Sequence, residues 1–349
     1  MANVQKQFEE FDGKIRLGRF EENGTLREKR NIIRGKLDKK LPDVFKDHDE
    51  ECPKYFFRDQ GSYELGTGVK PLDGDYDIDQ GLYFEVSTGD WDPVILKKRV
   101  WKALDGHTDE VRIRRPCVTV QYHEGEEPIY HVDIAVYANG NGDGKARLAV
   151  GRESTPTSER KWELSHPKAL KEKIHERFTA EDDRAQFRRI VRSLKRWKDN
   201  KFSSDGTAAP LGIGLTVLVY DDLQATYSDV FARTADDLQA LRKLVATALG
   251  RFISTWDPEE EKLVRRLTAT LPMEPFNDVF EQMTNRQMES FEDKLKRLKE
   301  ALDFASDAVD PYDACKELRK QFGDDFPVPE KKETAKTHAP AIATSASNA

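Results

Sequence analysis

Four aspartates crowd into seven residues of this chain, Asp73-Gly-Asp75-Tyr-Asp77-Ile-Asp79, and the segment that follows them, Tyr76 to Val86, has the apolar content of a β-strand. A strand alternates its faces, so Asp77 and Asp79 project from one side, roughly 7 Å apart along the chain. Two carboxylates so placed repel each other unless a cation lies between them. About fifty residues on, Asp133 interrupts His131-Val132-Asp133-Ile134-Ala135-Val136, which otherwise reads as a buried strand. A carboxylate there needs a partner. Three carboxylates from neighbouring strands make a hard-oxygen site for Mg²⁺ or Mn²⁺. Two such ions, roughly 3.5–4 Å apart, clamp the attacking and leaving oxygens of phosphoryl transfer.

Gly61-Ser62, directly after a short strand at Tyr55 to Arg58, supplies the complementary chemistry. Glycine lets the backbone approach a phosphate closely, and backbone N–H groups with the serine hydroxyl bind phosphate oxygens at a following helix N-terminus. Taken singly, Gly-Ser is a common turn and an acidic run is usually a solvated surface. The ordered combination is far more specific than any member.

That combination resembles the polymerase-β nucleotidyltransferase superfamily. The fuller strings, GSYELGTGVKP, YDIDQGLYF and YHVDIAVYA, resemble the bacterial CD-NTases, which include cyclic GMP–AMP synthase and its relatives in CBASS antiphage defence. The resemblance spans roughly residues 20–325 and is strongest between 55 and 137. It implies that Asp77 and Asp79 bind two Mg²⁺ or Mn²⁺ ions and that Asp133 holds the ion that activates the attacking hydroxyl. It also implies that Gly61 and Ser62 bind the donor triphosphate. The superfamily's preference for an aliphatic residue after the second acid would favour Asp75 and Asp77 as the metal pair. The family's DIDxG pattern instead matches Asp77, Asp79 and Gly81, more residues in all, and that register is adopted. The implied reaction joins ATP, alone or with GTP, into a cyclic di- or trinucleotide messenger with release of pyrophosphate. The alternatives are nucleotide addition to RNA, to a protein or to a linear oligoadenylate, and a non-catalytic nucleotide-binding regulator.

The elements that must position these groups follow from periodicity. Leu26, Ile33, Leu37 and Leu41 recur at helical spacing and predict a long helix over 25–42; a second runs from Asp92 to Leu104. Strands are predicted at 111–113, 118–122, 129–137 and 147–150, with a tight turn at Asn139-Gly-Asn-Gly142. From about Pro167 helical spacing dominates, over 168–178, 182–199, 211–223, 235–256, 258–270, 275–284, 286–305 and 310–321. The expected fold is α+β: a polymerase-β-like lobe with a mixed sheet (1–165, including the long N-terminal helix) and a helical lobe (166–325), with the active site in the cleft between them. In the helix at 182–199, Phe187, Ile190, Val191, Leu194 and Trp197 form the core stripe. Arg188, Arg192, Arg196 and Lys198 read as a solvated basic face. The segment RAQFRRIVRSLKRWKDNKF resembles the helix that lines the cleft between lobes in these enzymes, and the resemblance implies Lys195 as the candidate for a triphosphate contact, where a cation would offset charge on the transferred group. Tyr63 reads as a packing residue.

Residues 326–349 read as a flexible tail, poor in groups that could bury apolar surface. The resemblance implies one use for it, conjugation of Ala349 by a ubiquitin-transfer-like partner. The net charge of −7 weighs against a long nucleic-acid partner. Cys52, Cys117 and Cys315 lack CxxC spacing, so neither a disulfide framework nor a cysteine zinc site is expected. The longest nearly apolar run, Leu211 to Tyr220, is too short to span a bilayer, and the start of the chain lacks the apolar stretch of a secretory leader. The reading is of a cytoplasmic protein.

Overall fold

The computed structural model describes residues 2–18, 24–72, 74–203 and 209–331. Asp73 and most of the tail, including Ala349, lie outside the described residues. The elements run α1 (Gln5–Ile15), α2 (Gly24–Lys46), β1 (Tyr55–Asp59), α3 (Gly61–Leu65), β2 (Tyr76–Phe84), α4 (Pro93–Leu104), β3 (Glu110–Ile113), β4 (Val118–Glu124), β5 (Glu127–Ala138), β6 (Arg147–Val150) and β7 (Lys161–Leu164). They continue with α5 (Pro167–Arg177), α6 (Glu181–Lys201), α7 (Gly212–Asp222), β8 (Tyr227–Asp229), β9 (Thr234–Ala235), α8 (Asp237–Gly250), β10 (Ile253–Asp257), β11 (Lys262–Arg266), α9 (Asn285–Asp307) and α10 (Pro311–Phe322).

The first lobe is a mixed sheet in the order β1-β2-β5-β4-β3, extended through β6 and β7. β2 and β5 are parallel, and the other pairs are antiparallel. Alternation gives the sheet two different faces. Ile78, Leu82 and Phe84 of β2, Val118 and Val120 of β4, and Val132, Ile134 and Val136 of β5 pack against Ile33, Leu37 and Leu41 of α2 and Leu96, Val100 and Leu104 of α4. Asp77, Asp79, His131 and Asp133 occupy the alternate positions and so belong to the opposite face. α2 is also tied by charge: Arg34 donates to Gln80 Oε1 at 2.9 Å and, with Arg30, to the Asp59 carboxylate at 2.6 Å. α4 begins at Asp92, whose carboxylate accepts from the N–H groups of Val94 and Ile95, a conventional N-cap followed by Pro93. Lys97 of α4 is buried and donates to the carbonyls of Arg114, Arg115 and Gly151, closing the far end of the sheet.

The second lobe is built on α6, whose stripe of Phe187, Ile190, Val191, Leu194 and Trp197 is fully buried as the spacing predicts. Three expectations are corrected. α1 belongs to this lobe, not to the sheet lobe: Phe8 and Phe11 pack on Phe322 and Phe326. Phe326 is therefore core, and the packed region extends to it. The helices expected over 258–270 and 275–284, and the end of that expected over 235–256, are replaced by the β10–β11 hairpin and a loop. Asp257 accepts from the N–H groups of Glu259 and Glu260 to make the hairpin turn, and Asp278 accepts from those of Ala269 and Phe280 to hold the loop. No described helix is long and apolar enough to cross a membrane.

Candidate active site

The strand register sets out the site. β2 and β5 place Asp77 beside His131 and Asp79 beside Asp133; β4 places Gln121 beside His131 and Thr119 beside Asp133. The result is two polar rows across three strands, Asp77–His131–Gln121 and Asp79–Asp133–Thr119. Thr119 Oγ1 donates to Asp133 Oδ1 and orients that carboxylate. Burial, and then repulsion from Asp77 and Asp133, raises the Asp79 carboxyl well above the ordinary range, with Lys195 opposing in part. Burial disfavours charge on His131 as well, but its hydrogen bonds to the Asp77 and Asp75 carboxylates, which accept them, outweigh it and push the imidazole up to about 9.

Gly61 explains the spacing between the turn and the acids. Its φ is +69°, which glycine adopts without strain, and a Cβ there would lie 1.7 Å from Asp79 Oδ2. The turn and the carboxylate are in contact only because residue 61 has no side chain. Ser62 is the second residue of the short α3, and its carbonyl accepts from Thr67 N–H at 2.9 Å.

From the other lobe, α6 holds the loop that follows. Arg192 donates to Gly66 O and, through two nitrogens, to the buried Asp12 carboxylate of α1. Lys195 Nζ donates to Thr67 O at 3.1 Å, and Arg196 donates to Lys70 O at 2.8 Å. Arg192, Lys195 and Arg196 are thus buried and paired, which overturns the solvated reading for Arg192 and Arg196; they recur at i, i+3 and i+4 on the helix face that meets the loop. Arg188, by contrast, pairs with the exposed Glu181 of its own helix. Burial lowers the Lys195 ammonium to about 8, a direction that Lys198 reinforces and Asp79 opposes.

Gly61, Ser62, Asp75, Asp77, Asp79 and Lys195 all line a cleft of about 940 Å³ between the lobes. Asp133 joins Asp77 and His131 in a group whose ligand atoms lie within 4.8 Å of one another, a geometry able to hold a metal ion. Crowded, mutually repelling oxygens fit a divalent cation. Asp75, the alternative first acid, lies just before β2 and is engaged by His131 and Gln121. Tyr63 is buried under the turn, as a packing residue should be. His131 was missed by the sequence reading, which took it as part of an apolar strand; the signal available was its i, i+2 relation to Asp133 on the face that meets an acidic strand.

A mixed sheet carrying three aspartates beside a Gly-Ser turn, facing a helical lobe across a cleft, defines the polymerase-β-type nucleotidyltransferase fold. Residues 55–137 match the family model "Cyclic GMP-AMP synthase DncV-like, nucleotidyltransferase domain", so this stretch is similar to the nucleotidyltransferase domain of DncV-like synthases. A cyclic GMP-AMP synthase of Escherichia albertii is 26% identical over 235 residues, which is 64% of this chain and 48% of that protein. The chain thus spans about half the length of this curated relative. Vibrio cholerae DncV, solved with the linear intermediate pppA(3′,5′)pG, superposes with a TM-score of 0.67 at 19% identity, covering 94% of this chain and 98% of that one. Its apo form gives 0.66 at 20% identity, covering 93% and 96%.

Proposed function

We propose that this protein is a metal-dependent nucleotidyltransferase that joins ATP, alone or with GTP, into a cyclic di- or trinucleotide and releases pyrophosphate. The observation that carries this reading is the in-register placement of Asp79 beside Asp133, with Asp77 one row away and Gly61 in contact with Asp79; Gly61, Asp77 and Asp79 line the cleft. The cleft is at the upper end of the range for small-molecule sites, about 300–1,000 Å³, as a donor and an acceptor nucleotide together require.

In this reading Asp77, Asp79 and Asp133 hold two divalent cations, Mg²⁺ or Mn²⁺. Bound there, the ions would lower the pKa of the attacking ribose hydroxyl and offset charge on the leaving pyrophosphate. Gly61 and Ser62 hold the donor triphosphate, and Lys195 supplies a cation next to them. Asp133, fixed by Thr119, faces the hydroxyl that loses its proton as its oxygen bonds to the α-phosphorus and the bond to pyrophosphate breaks. A second turn of the same chemistry on the linear intermediate closes the ring. The similar Vibrio cholerae enzyme has been solved with such an intermediate, which supports this order. We assign the product to signalling in antiphage defence on the family resemblance. No described residue bears on conjugation of Ala349.

The test is incubation of the purified protein with labelled ATP, GTP, CTP and UTP plus Mg²⁺ or Mn²⁺, beside an Asp77→Ala/Asp79→Ala variant, followed by phosphatase treatment and chromatography. A phosphatase-resistant product made only by the wild type is expected. A phosphatase-sensitive linear product would point to oligonucleotide or acceptor extension. Absence of any product, together with nucleotide binding, would point to a regulator.

Lys195→Met provides a narrower check. Loss of one charge-assisted contact, worth about 1.5–3 kcal/mol, predicts a 10- to 150-fold fall in kcat/KM for the donor nucleotide. The methionine keeps the packing beside Gly212 but removes the bond to Thr67 O, so the melting temperature should fall by no more than several degrees and the fold should persist. An unchanged kcat/KM would remove Lys195 from the site.

A further inference from the structure

The acidic site holds a histidine among its carboxylates. His131 stands beside Asp77 across β2 and β5, and one ligand atom each from Asp77, His131 and Asp133 fall within 4.8 Å of one another. The two nitrogens of the ring have different surroundings. Nδ1 lies 3.1 Å from each oxygen of Asp75, whereas Nε2 lies 3.3 Å from Asp77 Oδ1. Asp75 is itself fixed: Gln121 Nε2 donates to its Oδ1 at 3.1 Å and to Tyr130 O at 3.3 Å. A carboxylate on one imidazole nitrogen, with the other nitrogen directed at acidic oxygens, is the arrangement by which proteins orient a metal-binding histidine. The Nδ1–H bond to Asp75 selects the tautomer whose lone pair is on Nε2, and a divalent ion among the acids displaces any proton held there.

We infer that His131 is a nitrogen ligand of the divalent-cation site, oriented by Asp75, and that it biases the site towards Mn²⁺ over Mg²⁺. Imidazole suits transition-metal ions, whereas Mg²⁺ takes oxygen and retains its water. This deepens the proposed function and rests on it, because the acids must hold a cation for the nitrogen to matter. Asp75, which Gln121 and His131 engage, acts as a positioning residue. The rival account is a histidine that only ties Asp75 to Asp77, touching no metal.

The experiment is pulsed EPR on the full-length protein loaded with Mn²⁺ alone, without nucleotide, prepared at natural abundance and with ¹⁵N-labelled histidine. The expected result is a directly coordinated nitrogen whose coupling changes isotope with the label and disappears in His131→Gln, although the chain has seven histidines. Calorimetric titrations should show Mn²⁺ affinity falling about tenfold in His131→Gln and in Asp75→Asn, with Mg²⁺ affinity changing less than about threefold. If Mn²⁺ binds in a manner that Asp79→Asn abolishes, yet shows no histidine nitrogen, the inference is overturned and the cation site stands. Equal weakening of both ions in His131→Gln overturns the Mn²⁺ bias. If wild type binds Mn²⁺ no better than Asp79→Asn does, both the inference and the proposed function fail. The labelling arm needs only the wild-type chain, so absence of a histidine nitrogen overturns the inference even if a variant does not fold.

Discussion

Gly61→Ala is expected to lower nucleotidyl transfer by about a thousandfold or more while the protein remains folded. The added Cβ would fall 1.7 Å from Asp79 Oδ2 and 2.5 Å from its Cγ, so the two cannot coexist. The strand has little room to yield: Asp79 is paired to β5, β1 pairs with β2 from Gln80 onward, and Ile78 and Gln80 on either side are fully buried. The carboxylate must therefore leave its position, and a shift of about 1 Å in such a site already costs on the order of a hundredfold. The positive φ adds a cost of about 1–2 kcal/mol in stability, small enough to leave a cooperative fold. Gly68→Ala, in the same loop, is the control. Its Cβ would make ordinary contacts, 3.4 Å from Leu17 Cβ and 3.5 Å from Ser62 Oγ, so activity should stay within about threefold of wild type. Steady-state rates with a melting curve for each variant decide the matter. A Gly61→Ala enzyme within tenfold of wild type would mean that the Asp79 position is not used in the reaction.

The acids were legible because their signals are local. A D-x-D on an apolar strand, and an aspartate inside another, need no tertiary knowledge to look anomalous. The parallel pairing that puts Asp79 beside Asp133 was not legible, since register is decided by contacts about fifty residues apart. The basic residues of α6 show the same limit. Arg192 and Arg196 look like a solvated face until the loop carbonyls of Gly66 and Lys70 are seen opposite them. The mistaken helices have a different cause. Leu263, Val264 and Leu267 match a helical period as well as a strand, and the better guides, the β-branched and aromatic Ile253-Ser-Thr-Trp256 and the break at Pro258, were outweighed by the helical surroundings. α1 is short, its N-cap Val4 offers no side-chain cap, and only Phe8, Phe11 and Ile15 mark one face of a helix in the sequence.

Asp79→Asn should abolish activity and yet stabilise the metal-free protein. Burial raises the Asp79 carboxyl well above its ordinary 3.8, and the charges of Asp77 and Asp133 add to the shift. The sign follows from proton binding. The unfolded chain releases this proton near 3.8, whereas the folded protein keeps it to higher pH, so folding stability falls as pH rises through that interval. At neutral pH, far above the unfolded value, the group is a liability that asparagine removes while keeping nearly the same shape. A rise of at least about 2 °C in melting temperature is expected without metal, narrowing as pH approaches 4. Divalent cations should reverse the order, because a ligand that binds only the folded state stabilises it by about 2.7 kcal/mol at a hundred times its Kd, and the variant has lost part of the site. Thermal melts of both proteins at neutral pH, with chelator and then with Mn²⁺, should therefore cross. A variant that melts below wild type in chelator would show that the three acids do not repel one another. A wild type whose melting is indifferent to Mn²⁺ would show that no cation relieves them. Either result would sink the view that this chain holds its acids under strain, to be relieved when the ions arrive.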